Sequence, residues 1–258
     1  MKKLIVLALA LSLVSQVRAQ NYSQLHDMLI KFYCYQRAGL ASGSAGNCNP
    51  GKANAWHGGD NFNGNKLDGG WYDAGDYIKF GMPLGYTVYC LLKGYDVFPS
   101  AYSATNGIPN ILTEVKFATD YMMKAVINNG TIVLDVGQAA DEHETWGVKY
   151  ESGRSGNQIL LCSGADVPAM YVACLALMST LYRKYDQNYA NQCLAKAKTA
   201  FEFVRKKVEA GGDNNLYCNA QTKHGKYLYY YPDVEGTLQR QINDKLVAAG
   251  VEMYRATN

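Results

Sequence analysis

GGWYDAGDYIKFGMP, residues 69–83, places two aspartates three positions apart beside two aromatic residues. A surface turn would account for the glycines and for one aspartate, because glycine reaches backbone angles that other residues avoid and aspartate bonds neighbouring amides. A turn does not account for Trp71 and Tyr72. The stretch therefore indicates either a plain turn or a functional site, and the rest of the chain has to decide between them.

The first residues have the pattern of a secretory signal peptide. Two lysines precede an apolar run from Leu4 to Val14, and a small-residue cleavage pattern ends at Ala19. The run is too short to cross a bilayer. We therefore expect a leader over residues 1–19 and an exported mature chain, extracellular or, in a bacterium, periplasmic.

The remaining residues, 20–258, suffice for one large domain with a substantial core. The formal net charge of +3 is small, and the basic residues are dispersed along the chain. Such a charge pattern provides no footprint for nucleic acid or for a membrane surface. We expect a neutral partner, no nucleic-acid binding and no membrane association after the leader is removed.

Seven cysteines are present, and none forms a C-x-x-C pair of the kind that binds zinc or does redox work. Because the count is odd, at least one should be free. Cys90, Cys174 and Cys193 lie in apolar helical patterns, where a buried free thiol is expected. The sequence alone does not assign the disulfide pairs.

Apolar spacing predicts six helices and almost no strand. In the third helix, Ile111, Val115, Ala118 and Met122 repeat on one face. Asp166 is a candidate N-cap of the fourth helix. Only residues 131–136 have the pattern of a strand. The predicted helices are 24–38, 83–95, 111–126, 166–181, 193–208 and a last one from about residue 243.

Long loops follow alternate helices, at 39–82, 128–165 and 211–243. If the helices pair as antiparallel hairpins, these loops share one end of the molecule. All three tryptophans lie in them, near several carboxylates. Aromatic rings beside carboxylates suit a sugar polymer, since the apolar face of a pyranose packs on a ring and the carboxylates bind hydroxyls.

Two neighbouring carboxylates, Asp73 and Asp76, could hold one water between them for an inverting glycoside hydrolysis. A D-x-x-D loop could instead bind calcium, but the surrounding side chains do not supply the oxygen ligands of an EF-hand. Nucleophile-elbow and phosphate-loop motifs are missing. The sequence therefore requires no cofactor, and it indicates no metal site.

At this point the residues resemble glycoside hydrolase family 9, the inverting cellulases built on an (α/α)6 barrel. The stretch at 69–83 is similar to the family's signature around its catalytic base. Three further stretches add to the resemblance: DEHETWG at 141–147, SGADVPAM at 163–170 and NDKLVAAGVEMYRAT at 243–257. Together they extend from about residue 24 to the end of the chain.

The resemblance implies roles for individual residues. Asp76 would be the general base, and Asp73 would help to bind and orient the same water. Glu142 stands where the family usually has aspartate, and the segment around Tyr230 does not align cleanly. The residues implied in substrate binding are Trp71, Tyr72, His143, Trp146 and Tyr230.

The resemblance also implies an all-α fold of which only about the first half is present, because six helices are predicted and the barrel has twelve. The family's general acid belongs to the other half. Five glutamates of this chain are candidates, and none lies in a segment that resembles the surroundings of that acid: Glu114, Glu142, Glu144, Glu151 and Glu235. The expected protein is a secreted endo-1,4-β-glucanase (cellulase) that hydrolyses β-1,4-glucan with inversion. We expect this chain to be truncated before the acid and inactive alone.

Two other interpretations of the sequence are open. The first is a non-catalytic β-glucan-binding fragment of the same fold. The second is an unrelated helical secreted protein, which the motif at 69–83 disfavours. A downstream reading frame with an acid-bearing glutamate motif would favour the enzyme over the binding fragment.

Overall fold

The computed structural model describes residues 22–38, 61–74, 78–128, 130–137, 158–222, 225–228 and 238–258. The leader predicted at 1–19 lies outside them. Six helices of 14 residues or more dominate this part of the chain. They are α1 (Tyr22–Tyr35), α2 (Gly81–Val97), α3 (Asn110–Ala125), α4 (Asp166–Tyr182), α5 (Gln187–Ala210) and α6 (Leu238–Thr257).

These helices confirm the predicted all-α architecture, with three local differences. Helix α5 begins earlier than predicted, after Asp186, whose side chain accepts a hydrogen bond from the Tyr189 amide. Helix α6 begins at Leu238 rather than near residue 243. Asp166 is the first residue of α4 instead of its N-cap, a position that Ala165 occupies without a side-chain bond.

Helix α4 is the centre of the described core, since its residues are buried along nearly the whole length. It packs against α2, α5 and α6. An apolar run such as Met170–Leu177 has no polar face, which is typical of a helix enclosed on all sides. Helices α2, α3, α5 and α6 pack around it, and α1 packs against α3.

Short strands occupy the connections between the helices. Strand β3 (Lys79–Phe80) pairs with β6 (Val133–Val136), which pairs with β7 (Ile159–Leu161) in an antiparallel sheet. The strand predicted at 131–136 is therefore confirmed. The remaining strands form hairpins: β1 (Asn61–Phe62) with β2 (Asn65–Lys66), β4 (Ala104–Thr105) with β5 (Ile108–Pro109), and β8 (Asn219–Thr222) with β9 (Gly225–Leu228).

The described parts of the three long connections meet on one face of the molecule. The β3–β6–β7 sheet joins the first connection to the second. A disulfide between Cys162 and Cys218 joins the second to the third. The alternation of short and long connections therefore predicted the clustering of the loops correctly.

The cysteines divide into bonded and free thiols. Cys34 is disulfide-bonded, as are Cys162 and Cys218. Cys174 and Cys193 are free and buried, as predicted. The prediction for Cys90 was wrong, because this free thiol is exposed. The apolar pattern around it belongs to α2, but Cys90 lies on the side of that helix that no described element covers.

Two of the helices expose apolar stripes. On α1 the side chains of Leu25, Met28, Leu29 and Phe32 are each about half exposed or more. On α6 the same holds for Val247, Val251 and Tyr254. None of the helices in the described ranges has the length and apolar character needed to cross a membrane.

Candidate active site

Backbone hydrogen bonds join the loop that begins at Gly69 to the residues that follow α1. The Ala38 amide donates to the Gly70 carbonyl at 2.9 Å, and the Tyr72 amide donates to the Gln36 carbonyl at 2.7 Å. Gly70 has a φ of +75°, and a Cβ atom there would lie 2.9 Å from the Tyr121 ring. Glycine is therefore required at Gly70 for both its conformation and its lack of a side chain.

The indole of Trp71 is held by a buried ion pair. Its Nε1 donates to Glu114 Oε1 at 3.0 Å, and the Arg37 guanidinium donates to both oxygens of the same carboxylate, at 3.1 and 2.6 Å. The Arg37 and Glu114 side chains are each 3% exposed. Burial raises the pKa of Glu114, and the bonds from Arg37 and Trp71 oppose that rise. Glu114 is thus a structural carboxylate beneath the motif.

Lys79 supports the same loop from the opposite side. Its ammonium donates to the Leu67 carbonyl at 2.6 Å and to the Gly69 carbonyl at 3.3 Å, and it lies 4.5 Å from the centre of the Tyr121 ring. A fully buried lysine is stabilised here by carbonyl oxygens and an aromatic face. Trp71 and Lys79, which lie on either side of Asp73 in the motif, therefore hold the loop in place.

Asp73 is exposed in this loop. Its backbone amide donates to the Ile78 carbonyl at 3.0 Å. Asp76 lies between these two residues in the sequence, outside the described residues. The structure therefore places one of the two predicted catalytic carboxylates, Asp73, at the surface.

A hollow of about 140 Å³ opens beside Asp73. Apolar and aromatic side chains from α1, the loop and the start of α2 form most of its wall: Phe32, Tyr33, Trp71, Tyr72, Phe80, Pro83 and Leu84. Gln36, Thr87 and Asp73 add polar groups. A wall of this composition suits the apolar face of a sugar ring. A larger groove of about 780 Å³ between α3 and α5 contains none of the predicted site residues.

Of the five predicted substrate-binding residues, two lie in the part of the chain that the structure describes. Trp71 and Tyr72 are only 3% and 5% exposed, so they are not the open platforms that their position in a polar loop suggested. Tyr72 packs on Ala38, and both aromatic rings contribute to the wall of the hollow. The other three, His143, Trp146 and Tyr230, lie outside the described residues, and their roles stay predictions.

Sequence reasoning missed one residue beneath the loop, Asp135. It is 1% exposed, and its Oδ1 accepts a hydrogen bond from the Gly81 amide at 2.9 Å. Burial raises the pKa of Asp135 to about 8, with smaller contributions from the negative charges of Asp166 and Asp73. The available signal was a single carboxylate within the apolar strand β6.

A second buried carboxylate, Asp166, joins the start of α4 to the third connection. Its Oδ1 accepts from the Val167 amide at 2.8 Å and from the Cys218 amide at 2.9 Å. Burial raises the pKa of Asp166 to about 6, and the backbone bonds oppose that rise. Asp166 therefore holds the third connection against the start of α4.

One group of three possible metal ligands occurs in the part of the chain that the structure describes: Cys162, Asp166 and Cys218. The two sulfurs are bonded to each other, so they do not offer a thiolate pair to a metal. The exposed Asp73 has no such cluster among its described neighbours. The expectation that no cofactor is required stays a prediction.

The fold and the loop that carries Asp73 together define the class of this protein. Helical hairpins around a buried inner helix, with long connections gathered on one rim, match the (α/α)6 fold of known endoglucanases. The match covers about half of each of those chains, 52% in both cases. The predicted fold class is thereby confirmed.

The chain belongs to glycosyl hydrolase family 9, because residues 22–258 match the sequence pattern of that family. It is 28% identical over 251 residues to Endoglucanase A of Bacillus pumilus. The aligned region covers 94% of this chain and 35% of that protein. The endoglucanase structure from the termite Nasutitermes takasagoensis superposes with a TM-score of 0.71 at 30% identity and covers 93% of this chain. The cellulase Cel9M of C. cellulolyticum superposes with a TM-score of 0.67 at 25% identity and covers 92%. The chain thus spans about a third of the first relative and about half of the two solved structures.

Proposed function

We propose that this chain forms the base-bearing half of a secreted endo-1,4-β-glucanase that hydrolyses β-1,4-glucan, such as cellulose, with inversion. Asp76 acts as the general base, and Asp73 binds and orients the attacking water. Secretion follows from the leader pattern at residues 1–19. No cofactor takes part.

The observation that carries the proposal is the contrast between Asp73 and the residues around it. Trp71 and Lys79 are buried and bonded, whereas Asp73 is exposed beside a hollow with an aromatic wall. The buried and bonded neighbours hold the loop in place, and the exposed Asp73 carboxylate is accessible to substrate. A water-activating carboxylate needs this combination of a fixed position and free access to substrate.

An inverting hydrolysis also needs an acid on the far side of the bond, about 6.5 to 9.5 Å from the base. Glu114 is excluded as that acid, because it is buried and bonded to Arg37 and Trp71. We assign the acid to the part of the family's barrel that this chain does not match. The substrate-binding residues His143, Trp146 and Tyr230 would line the cleft from the second and third connections.

The proposal is tested by titrating the chain with cellohexaose and following tryptophan fluorescence, since all three tryptophans lie in the proposed cleft loops. Binding should weaken in Phe32→Ala, which removes part of the aromatic wall. The matched control is Phe98→Ala. Its ring is similarly exposed, but it follows the last residue of α2 and does not line the hollow. Equal loss in both variants, or no binding to any β-1,4-glucan oligosaccharide, would contradict the proposal.

A further inference from the structure

The groove of about 780 Å³ between α3 and α5 is lined by residues that the structure describes. On α5 the lining residues are Gln192, Ala195, Lys196 and Thr199, which recur at the spacing of one helical face. They cover about 10 Å of that helix. The last turns of α3 form the opposite wall, and the β1–β2 hairpin forms a third side. The groove is therefore long enough for more than one ring of a sugar chain.

Hydrogen bonds hold the two helical walls together at both ends of the groove. The hydroxyl oxygens of Thr119 and Tyr189 lie 2.7 Å apart at one end. At the other end, the Lys196 ammonium donates to the Val126 carbonyl at 2.6 Å. Both bonds join residues that are 70 positions apart in sequence, so α3 and α5 run parallel along the groove. The groove is thus preformed, as most small-ligand sites are.

The groove carries positive charge without counter-ions among the described residues. Three ammonium groups line it, those of Lys66, Lys124 and Lys196. Lys124 and Lys196 donate to neutral oxygens, and none of the three is paired with a described carboxylate. The carboxylate among the described lining residues, Asp120, is already paired with Lys116 at 2.9 Å. Burial lowers the pKa of Lys196, so a bound anion would supply the counter-ion that this partly buried ammonium lacks.

The uncharged part of the lining indicates what kind of anion fits. Amide and hydroxyl side chains stand between the ammonium groups: Asn65, Asn128, Gln192 and Thr199. Apolar side chains complete the wall: Met123, Ile127 and Ala195. Amides and hydroxyls bond sugar hydroxyls, and apolar surface packs on the face of a pyranose. The described lining contains no arginine, whose planar fork is the preferred partner of phosphate groups.

We propose that the groove between α3 and α5 is a second carbohydrate site, which binds an acidic oligosaccharide built from uronic acids. The ammonium groups of Lys66, Lys124 and Lys196 bind the carboxylates, and the amide and hydroxyl side chains bind the ring hydroxyls. The site is separate from the hollow beside Asp73, since the two share no lining residue. It concerns a different ligand and a different surface from the proposed function, and it does not depend on that function.

The experiment is calorimetric titration of the full chain with tetragalacturonate at low ionic strength. Lys124→Gln combined with Lys196→Gln should weaken binding about tenfold, because two charged contacts are lost. The matched control combines Lys198→Gln with Lys206→Gln, which removes the same charge from exposed positions of α5 outside the groove. Its affinity should stay within about twofold of the unmodified chain, since salt screens distant exposed charges.

Three other ligands decide between a site for acidic sugars and a merely charged surface. Cellotetraose, tetra-aspartate and inorganic phosphate should each bind at least about tenfold more weakly than tetragalacturonate. Equal binding of any of them would overturn the proposal, because it would show that either the carboxylates or the sugar rings are not recognised. Absence of tetragalacturonate binding, or equal weakening in the two double variants, would also overturn it.

An NMR titration of the unmodified chain decides the matter if the double variant does not fold. Tetragalacturonate should shift the backbone amide signals of Asn65, Gln192 and Thr199, which line the groove, and leave those of Gln36 and Thr87 in the hollow unchanged. Shifts confined to the hollow would overturn the proposal. Failure of cellohexaose binding would contradict the proposed function and leave these measurements unaffected.

Discussion

Trp71 and Glu114 are joined by a 3.0 Å bond from the indole nitrogen to a carboxylate oxygen, across 43 residues of sequence. The bond links the loop that carries Asp73 to the middle of α3, and Arg37 completes the link to the end of α1. Three segments that are distant in sequence thus converge on one carboxylate. The position of Asp73 depends on this convergence.

Glu114→Gln should destabilise the chain by about 3 to 5 kcal/mol, because it leaves the buried Arg37 guanidinium without its counter-ion while keeping an acceptor for Trp71. Chemical denaturation measures the loss. Asp120→Asn is the control, since it breaks a partly exposed pair with Lys116 and should cost less than about 1 kcal/mol. Equal effects of the two substitutions would show that the buried pair does not hold the loop.

Replacing both Cys162 and Cys218 with alanine should lower stability by about 2 to 5 kcal/mol, because the disulfide closes a sequence separation of 56 residues in the unfolded chain. It should also increase proteolysis of the third connection, which the disulfide joins to the second. Cys90→Ser, at an exposed free thiol, is the matched control and should have little effect. Indistinguishable melting curves for the two variants would argue against a stabilising role.

Asp166→Asn should flatten the dependence of stability on pH between about 4 and 6. The pKa of Asp166 is raised in the folded state from 3.8 to about 6, so the native chain holds its proton more tightly than the unfolded chain. The stabilisation is present below pH 4 and is lost as the pH rises to 6, by about 3 kcal/mol in total. Melting temperatures across this range measure it.

The chain by itself should self-associate, because the apolar stripes on α1 and α6 have no covering element among the described residues. Introducing charge into both stripes, as in Leu29→Glu with Val251→Glu, should shift the population towards monomer. Light scattering after size exclusion measures the change. Val208→Glu, at a less exposed apolar side chain on α5, should not produce that shift. A monodisperse unmodified chain would contradict the expectation.

In a version completed with the second half of a family 9 barrel, Asp76→Ala should remove nearly all hydrolysis of carboxymethyl cellulose while oligosaccharide binding persists. A general base contributes about a hundredfold to ten-thousandfold to the rate but little to holding the sugar. Asp73→Ala should reduce activity less. NMR of the first products should show inverted anomeric configuration in the unsubstituted barrel, and retained configuration would refute the assignment of an inverting base.

Sequence alone predicted the six helices, the strand at 131–136 and the clustering of the long connections. These features depend on apolar spacing and on Gly and Pro signals within a few residues, so local patterns contain them. The motif at 69–83 likewise identified the loop and the family. Element ends were less well predicted: α6 begins at Leu238, where the polar run Gln239–Gln241 gave no apolar signal.

Tertiary structure alone decided what most of the motif residues do. Trp71 is buried because Glu114 lies opposite it, and Asp135 is buried because α2 begins against its strand, 54 residues away from Gly81 in sequence. The cysteine pairing and the exposure of Cys90 depend in the same way on which helices and loops become neighbours. Burial, charge pairing and the resulting pKa shifts arise from contacts between distant segments, and the spacing of residues along the chain does not contain them.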